Sequence, residues 1–442
     1  MAPKGTRPNY YVKHWQLLSL LGVVTVAVGT PILTWILIGD WYTWITNGTV
    51  FTILILGAGV LLFAILGWSL FCVVRLIYTR GIGRYRFFKI SSVAFIIAAI
   101  TVAGMFHGDY PLSTNKPLVA MVGANPSTQV VIACYTATPQ TNMDLTYQLK
   151  GTTNSFTIPD SGNATEHRFF LVNLLPNSTY TYALGVNSTA GNMPVPSDLS
   201  QTQEFKTAPA NTAGGFTFLE VSDIHSNMPP ALATAMAAVP SDLIIEDGDS
   251  TDYGAMNAKW DAYFATTRPL YARSSDATTA PLLLPVIGNH ETMWFGRQRY
   301  GDIFWGVGST NASFPYYFRI DVGNVHFLVL DVEWSIDDFT PAQAAWLNQS
   351  LASINSQDPN AWKIVVEHVM IYSSGSYGSQ QPLIDRLTPV FKQYGVQLVL
   401  TGHDHHFERL VEDNVTYIVQ GTGGGPPDLR SPKPINGSMI YL

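Results

Sequence analysis

Cysteine is nearly absent from this chain: 442 residues contain two, Cys72 inside a long apolar run and Cys134 alone in the remainder. No disulfide can therefore staple the fold, and cysteine usage does not report the redox compartment. Basic charge is scarce after the first quarter. Eight of the 24 Lys and Arg, but only Asp40 of the 31 Asp and Glu, precede residue 107, so 16 basic and 30 acidic residues remain beyond it, a balance of −14. Such a surface repels a phosphate backbone instead of releasing its counterions, which excludes a nucleic-acid-binding face. Any phosphate handled there needs metal charge. There is also no internal repeat and no long low-complexity tract.

What is present begins with three apolar runs, at residues 17–38, 51–74 and 90–106. At 1.5 Å per residue each reaches across roughly 30 Å of hydrocarbon, the last only just, and the pattern predicts three transmembrane helices. A cleaved signal peptide fits less well, because the first run exceeds an h-region and two more follow. Positive charge lies before the first run and in residues 75–89, and the loop at 39–49 has none. This predicts a cytoplasmic N-terminus, an integral membrane protein, and an extracytoplasmic position for everything after residue 106. Asn47, Asn163, Asn177, Asn187, Asn311, Asn348, Asn414 and Asn436 each open an Asn-x-Ser/Thr triplet, as expected for an exported glycoprotein.

A polar linker at 107–115 leads to short alternating runs between Pro, Gly, Asn and Ser turns, which read as a β-sandwich over residues 116–208. The stretch Leu175-Pro176-Asn177-Ser178-Thr179-Tyr180 resembles the corner of a fibronectin type III domain, in which the hydroxyl of Tyr180 would tie back to upstream backbone. No His, Asp and Glu constellation occurs in this segment, so a spacer role is expected. After a second linker at 209–215, apolar strands alternate with helical stretches to the C-terminus, predicting an α/β domain over 216–442. Helices are expected at 229–239, 256–271, 341–355, with Thr340 as N-cap and Pro341 first, and 382–394. Residues 316–320 and 325–331, around Gly323-Asn324, read as a hairpin.

The chemistry sits where strands stop. The run Leu243-Ile244-Ile245-Glu246-Asp247 breaks at Gly248 and presents Asp249. A buried parallel strand that ends this way delivers its carboxylate to the C-terminal edge of a sheet, where open α/β sheets bind ligands. Four more runs end alike: 216–221 before Asp223 and His225, 282–287 before Asn289 and His290, 363–366 before His368, and 396–400 before His403 and His405. Imidazole and carboxylate together are a ligand set for first-row transition metals, and a shared carboxylate is what two adjacent cations need.

Asp223-x-His225, Gly248-Asp249, Gly288-Asn289-His290-Glu291, His368 and Gly402-His403-x-His405, in this order, resemble the signature of the calcineurin-like metallophosphoesterases. Phe407-Glu408-Arg409, the hairpin at 317–331 and residues 371–378 look more narrowly like the purple acid phosphatase branch, which also carries a fibronectin-like domain upstream. The resemblance implies two packed sheets flanked by helices, and two divalent or trivalent ions of iron, manganese or zinc. It would place Asp223, His225, Asp249 and His405 on one metal and Asp249, Asn289, His368 and His403 on the other, with His290 facing a phosphoester substrate as phosphate holder or proton donor. By their own chemistry Glu291, Asp404 and His406 read as partners behind the ligands or as exposed residues, since a metal-bound imidazole needs its other nitrogen oriented; Trp294 and Phe295 read as pocket wall or as simple packing, and Asp247 as a turn carboxylate.

Three positions depart from the purple branch. Asp252 stands where those enzymes have a metal-bound tyrosine, with Tyr253 one residue late; His225 replaces a non-ligand; and Tyr377 occupies the place of a second substrate-facing histidine. The chain also ends soon after 421–427, leaving little sequence for closing strands. A membrane-anchored phosphoesterase, acting on mono- or diesters, is the function expected; a non-catalytic cell-surface binding protein on the same fold is the alternative.

Overall fold

Alternating runs become strands throughout the structure, a computed structural model that describes residues 117–140, 143–160, 162, 164–186, 202–271, 280–293, 296–308, 316–427 and 434–442. Among the described residues before 207 these are β1 (Pro117–Val122), β2 (Val130–Gln140), β3 (Met143–Leu149), β4 (Ser155–Ile158), β5 (Ala164–Leu171), β6 (Thr179–Val186) and β7 (Gln203–Lys206). Four of them form an antiparallel sheet in the order β4-β3-β6-β7. Its inner residues Leu145, Tyr180, Tyr182 and Phe205 share a core with Ile132, Cys134 and Phe169 of β2 and β5. The Tyr180 hydroxyl accepts the Leu175 N–H at 2.8 Å, the tie expected of a tyrosine at that corner.

The chain continues through β8 (Phe218–Val221), α1 (Pro230–Ala237), β9 (Leu243–Asp247), α2 (Asn257–Tyr271), β10 (Leu282–Val286), α3 (Asn289–Thr292), α4 (Gly296–Ile303), β11 (Phe318–Val322), β12 (Val325–Val329), α5 (Pro341–Gln357), β13 (Trp362–Val366), α6 (Gln381–Tyr394), β14 (Leu398–Thr401), β15 (Phe407–Glu412), β16 (Val415–Gln420) and β17 (Ser438–Tyr441). One sheet has the order β5-β2-β1-β10-β9-β8 and the other β11-β12-β13-β14-β16-β15-β17. The first is continuous across residues 209–215, because β1 lies parallel to β10 with Met121 beside Leu283.

Period-two side-chain alternation decides where the cores sit. Phe327, Val329, Ile364, Val366 and Leu400 point towards the β8–β10 strands and join their core. Their neighbours Leu328, Val365 and Val399 point the other way, under Leu347, Leu351, Leu383, Leu387 and Phe391 of α5 and α6. Each such side chain contributes about 1.5–3 kcal/mol by burial, so a one-residue slip of any central strand would forfeit several of these contributions. Helix α5 begins as its sequence predicts, with Thr340 accepting the Gln343 N–H and Pro341 at the first position. Helix α6 stops at Gly395, whose φ is 67°. Near the C-terminal end of the sequence, β17 pairs antiparallel with β15.

The expectation of three transmembrane helices, and with it an integral membrane protein with a cytoplasmic N-terminus, is corrected. Among the described residues no helix is long and apolar enough to cross a membrane. The longest, α5, has 17 residues and carries Gln, Asn and Ser, whereas a span needs about 20 predominantly apolar residues. The runs at 17–38, 51–74 and 90–106 lie outside the described residues. The fold established is one of sheets flanked by helices.

Candidate metal centre

Within each of the two sheets, register brings the strand ends to one level. Val221 lies beside Glu246, Val286 beside Asp247, and Val366 beside Leu400, so the loops that follow emerge side by side. The residues then turn sharply: Asp223, His225, Asp249 and His403 have φ of 58°, 49°, 51° and 67°. Left-handed backbone costs a non-glycine residue about 1–2 kcal/mol, a cost the surrounding contacts must offset. Gly402 makes the approach possible, because a Cβ there would run into Ser222 and Asp223.

Each carboxylate divides its work. Asp223 Oδ2 accepts the His403 N–H at 2.9 Å, and Asp249 Oδ1 accepts the His290 N–H at 2.9 Å, which fastens one loop to the next. The second oxygen faces the pocket. Asp223 Oδ1 lies 3.2 Å from His405 Nε2 and 3.8 Å from His225 Nε2. Asp249 Oδ2 lies 3.3 Å from His368 Nε2, 3.8 Å from His225 Nε2 and 3.9 Å from His290 Nε2. Asn289 Oδ1 stands 3.0 Å from His368 Nε2 and 2.9 Å from His403 Nδ1.

The imidazoles are aimed by what their other nitrogens do. His368 Nδ1 donates to the Asp247 carbonyl at 2.8 Å, His405 Nδ1 to the Pro426 carbonyl at 2.7 Å, and His290 Nδ1 to the Asp252 carbonyl at 2.8 Å. His225 Nδ1 faces the Asp252 carboxylate at 3.4 Å. Every one of these rings thus turns Nε2 inward, with the tautomer fixed from behind.

This donor set fits metal ions. The Nε2 atoms of His225 and His405 face each other at 3.1 Å, with Nδ1 of the first turned to the Asp252 carboxylate and Nδ1 of the second on the Pro426 carbonyl, so one ion could take both Nε2 atoms. Asp223 Oδ1 is buried without a hydrogen-bond partner. Ligands about 2.1 Å from one ion stand roughly 3.0–3.4 Å apart, close to the shortest spacings here. Three groups could hold a cation: Asp223, His225 and His405; His225, Asp249 and His290; and Asp249, His368 and His403. Asp249 belongs to two of them. The titration pattern is that of charges awaiting a partner: burial lowers His225 and His368, but the facing carboxylates outweigh it and raise both. Burial raises Asp223 and Asp249, but the imidazoles of His225 and His405 facing the first, and the charges of His368 and His290 near the second, outweigh it and hold both carboxyls well below the usual range. Burial, reinforced by the charge of His368, pushes His403 down to about 3, leaving a neutral, ligand-ready ring. Burial also lowers His290, against the pull of Asp249.

The three residues expected behind the ligands brace loops. Glu291 accepts the N–H groups of Asp249, Thr251 and Gly288, each at 2.9 Å. Asp404 accepts the Ser373 hydroxyl at 2.5 Å and the Tyr377 N–H at 3.1 Å. His406 Nε2 lies 3.3 Å from Glu408, and its ring stacks on Tyr441. Asp247 is a buried strand residue, and its contribution to the site is its carbonyl, which holds His368. Trp294 and Phe295 lie outside the described residues.

Sequence reasoning missed Asp252. Its carboxylate takes His225 and, at 2.8 Å, Lys259 Nζ, while its carbonyl takes His290. A carboxylate three residues past a strand-end Asp was the available signal, but it read only as the loss of a tyrosine.

Comparison with known proteins agrees with this geometry. The calcineurin-like phosphoesterase family matches residues 216–407. A probable inactive purple acid phosphatase of Arabidopsis thaliana is 25% identical over 281 residues, 55% of this chain and 43% of the relative. A phosphoenolpyruvate phosphatase of Allium cepa is 27% identical over 169 residues, 35% of this chain and 33% of the relative. The chain therefore spans less than half the length of these two relatives. The purple acid phosphatase from yellow lupin (Lupinus luteus) seeds shares the fold with a TM-score of 0.60 at 19% identity, covering 74% of this chain and 68% of that one. Residues 216–407 thus match the calcineurin-like phosphoesterase family, and purple acid phosphatases are among the proteins to which the chain is similar in sequence and fold.

Proposed function

We propose that the chain hydrolyses phosphomonoesters or phosphodiesters at a dinuclear centre, with Asp223, His225, Asp249 and His405 holding one ion and Asp249, Asn289, His368 and His403 the other. The observation that carries this reading is Asp249 Oδ2, one oxygen within 3.3–3.9 Å of imidazole nitrogens from both groups. Iron, manganese or zinc suits the nitrogen and oxygen donors. Bound ions of this kind lower the pKa of water and clamp phosphoryl oxygens. The rest falls to the protein. Asn289 Oδ1 adds a neutral donor between His368 and His403, so the second position carries less negative charge than the first. His290 presents Nε2 at the pocket with its Nδ1–H committed to Asp252. It would therefore protonate a leaving oxygen only as an imidazolium, the form that Asp249 favours and burial opposes.

In the same reading residues 116–208 form a fibronectin III-like sandwich and 216–442 the phosphoesterase domain, joined by the segment 209–215; residues 107–115 are a linker. The strand layout and the Tyr180 tie support the first assignment.

The test is hydrolysis of a panel of mono- and diesters by the full chain, with metal content measured on the same sample. About two metal ions per chain and metal-dependent turnover are expected. Metal binding without turnover on any ester would favour the alternative, a non-catalytic binding protein on the same fold; absence of bound transition metal would defeat both.

A further inference from the structure

Two aromatic side chains stand exposed beside the candidate ligands, and both are held in place. Tyr377 is 38% exposed, and its ring lies over that of His403, centroids 4.4 Å apart and planes 28° from parallel. The loop that carries it is fastened at several points. Asp404 takes the Tyr377 N–H and the Ser373 hydroxyl, and Glu408 takes the Ser374 N–H at 2.7 Å and hydroxyl at 2.6 Å. Gly375 lies so close to the His405 neighbours that a Cβ would sit 2.5 Å from His406 Cε1 and 2.7 Å from Asp404 Cγ. Trp334, 50% exposed, follows β12. Its indole N–H donates to Thr292 Oγ1 at 2.9 Å, and that hydroxyl donates to the Asn289 carbonyl at 2.9 Å. Each aromatic is thus one contact from a segment that bears a ligand, and neither is buried as packing would require.

We propose that Tyr377, assisted by Trp334, is a platform for the leaving group, and that the preferred substrates are phosphoesters whose leaving alcohol carries a planar aromatic ring, such as a nucleoside. This rests on the phosphoesterase reading above. The physical basis is stacking: a rigid ring already fixed over His403 offers its face at little ordering cost, and an aromatic leaving group gains contact area that an alkyl group lacks. A tyrosine here also places no fixed charge beside the phosphate, so selectivity shifts from the phosphoryl oxygens to the group that departs.

The test compares adenosine 5′-monophosphate with ribose 5-phosphate, which share the same leaving alkoxide and differ in the base. The full-length metal-loaded enzyme should favour the nucleotide in kcat/KM by roughly 5- to 150-fold, the range that base–aromatic stacking supplies. Tyr377→Ala should bring the ratio of the two close to one, and Tyr377→Phe should preserve it. Calorimetric titration of the same proteins with adenosine 5′-monophosphate and ribose 5-phosphate should show the same order of affinity, a readout independent of turnover. Equal kcat/KM for the two esters, or a Tyr377→Ala loss that is the same for both, would overturn the platform and leave Tyr377 as a prop for His403. If neither ester is hydrolysed, the monoesterase form of the phosphoesterase reading fails, and the platform then stands or falls on whether the nucleotide binds more tightly than the sugar phosphate.

Discussion

Glu291 is the residue whose removal should do most damage without touching a ligand. It is fully buried, and its two oxygens accept three backbone N–H groups from the loops that carry Asp249 and Asn289. Two influences contest its charge. Burial first, and the Asp249 carboxylate second, push it up to about 8. The hydrogen bonds oppose this, since three donors converge on the carboxyl and a carboxyl proton would have to displace one of them. The geometry therefore favours the carboxylate at pH 7. Glu291→Ala leaves three buried N–H groups unmatched, at about 1–3 kcal/mol each, or roughly 3–9 kcal/mol against a total stability of about 5–15. Glu291→Gln is the sharper probe. Its amide oxygen can serve Asp249 and Gly288, but its NH₂ then meets the Thr251 N–H, so one bond is lost and about 1–3 kcal/mol with it. Urea unfolding at pH 7, with chelator and again with saturating metal, reads both variants. A Glu291→Gln protein within about 0.5 kcal/mol of the parent would show that the native residue is protonated, and the bracing argument would fall.

Asp249→Ala should lose metal and activity together, because it removes the carboxylate oxygen that both groups share. His290→Ala should keep its metal and lose roughly 10²- to 10⁴-fold in turnover, less for a nitrophenyl ester than for an alkyl phosphate; loss of metal, or an equal deficit on both esters, would make His290 a ligand or phosphate holder instead. Iron-loaded protein should show no strong tyrosinate band in the visible spectrum, since Asp252 occupies the tyrosine position and is engaged with His225 and Lys259; a purple sample would mean that Tyr253 reaches the metal. Glu246 gives a pH prediction. Burial pushes it up to about 7, against hydrogen bonds from Tyr263, Tyr271 and Ser250, from an ordinary value of 4.5. Because the folded value lies above the unfolded one, its stabilising contribution is complete below about 4.5 and is lost as pH rises through 7, about 3 kcal/mol in all. Urea titrations at pH 5 and 8 should show that Glu246→Gln flattens this fall, and an unchanged slope would contradict it.

Local sequence determined the elements and the identity of the candidate ligands. Apolar runs of strand length that stop at Gly-Asp or before a histidine have few ways to fold, and β8, β9, β10, β13 and β14 lie where those runs are. Thr340-Pro341 set the start of α5 for the same reason, a local hydrogen bond and a preset φ. The two short helices α3 and α4 went unread because their sequences, Asn289–Thr292 and Gly296–Ile303, are too short or too polar to show an apolar face. Long apolar runs are a compositional signal, and among the described residues no helix of membrane-spanning length accompanies them. What only the tertiary structure decided is orientation. Which oxygen of Asp223 and Asp249 faces the pocket, which nitrogen of each imidazole turns inward, and that the partners behind His368, His290 and His405 are the carbonyls of Asp247, Asp252 and Pro426 instead of the acids next door, all depend on contacts between residues far apart in the chain. Sequence spacing carries no record of them, because a backbone carbonyl has the same chemistry at every residue and is selected only by where the two sheets bring it.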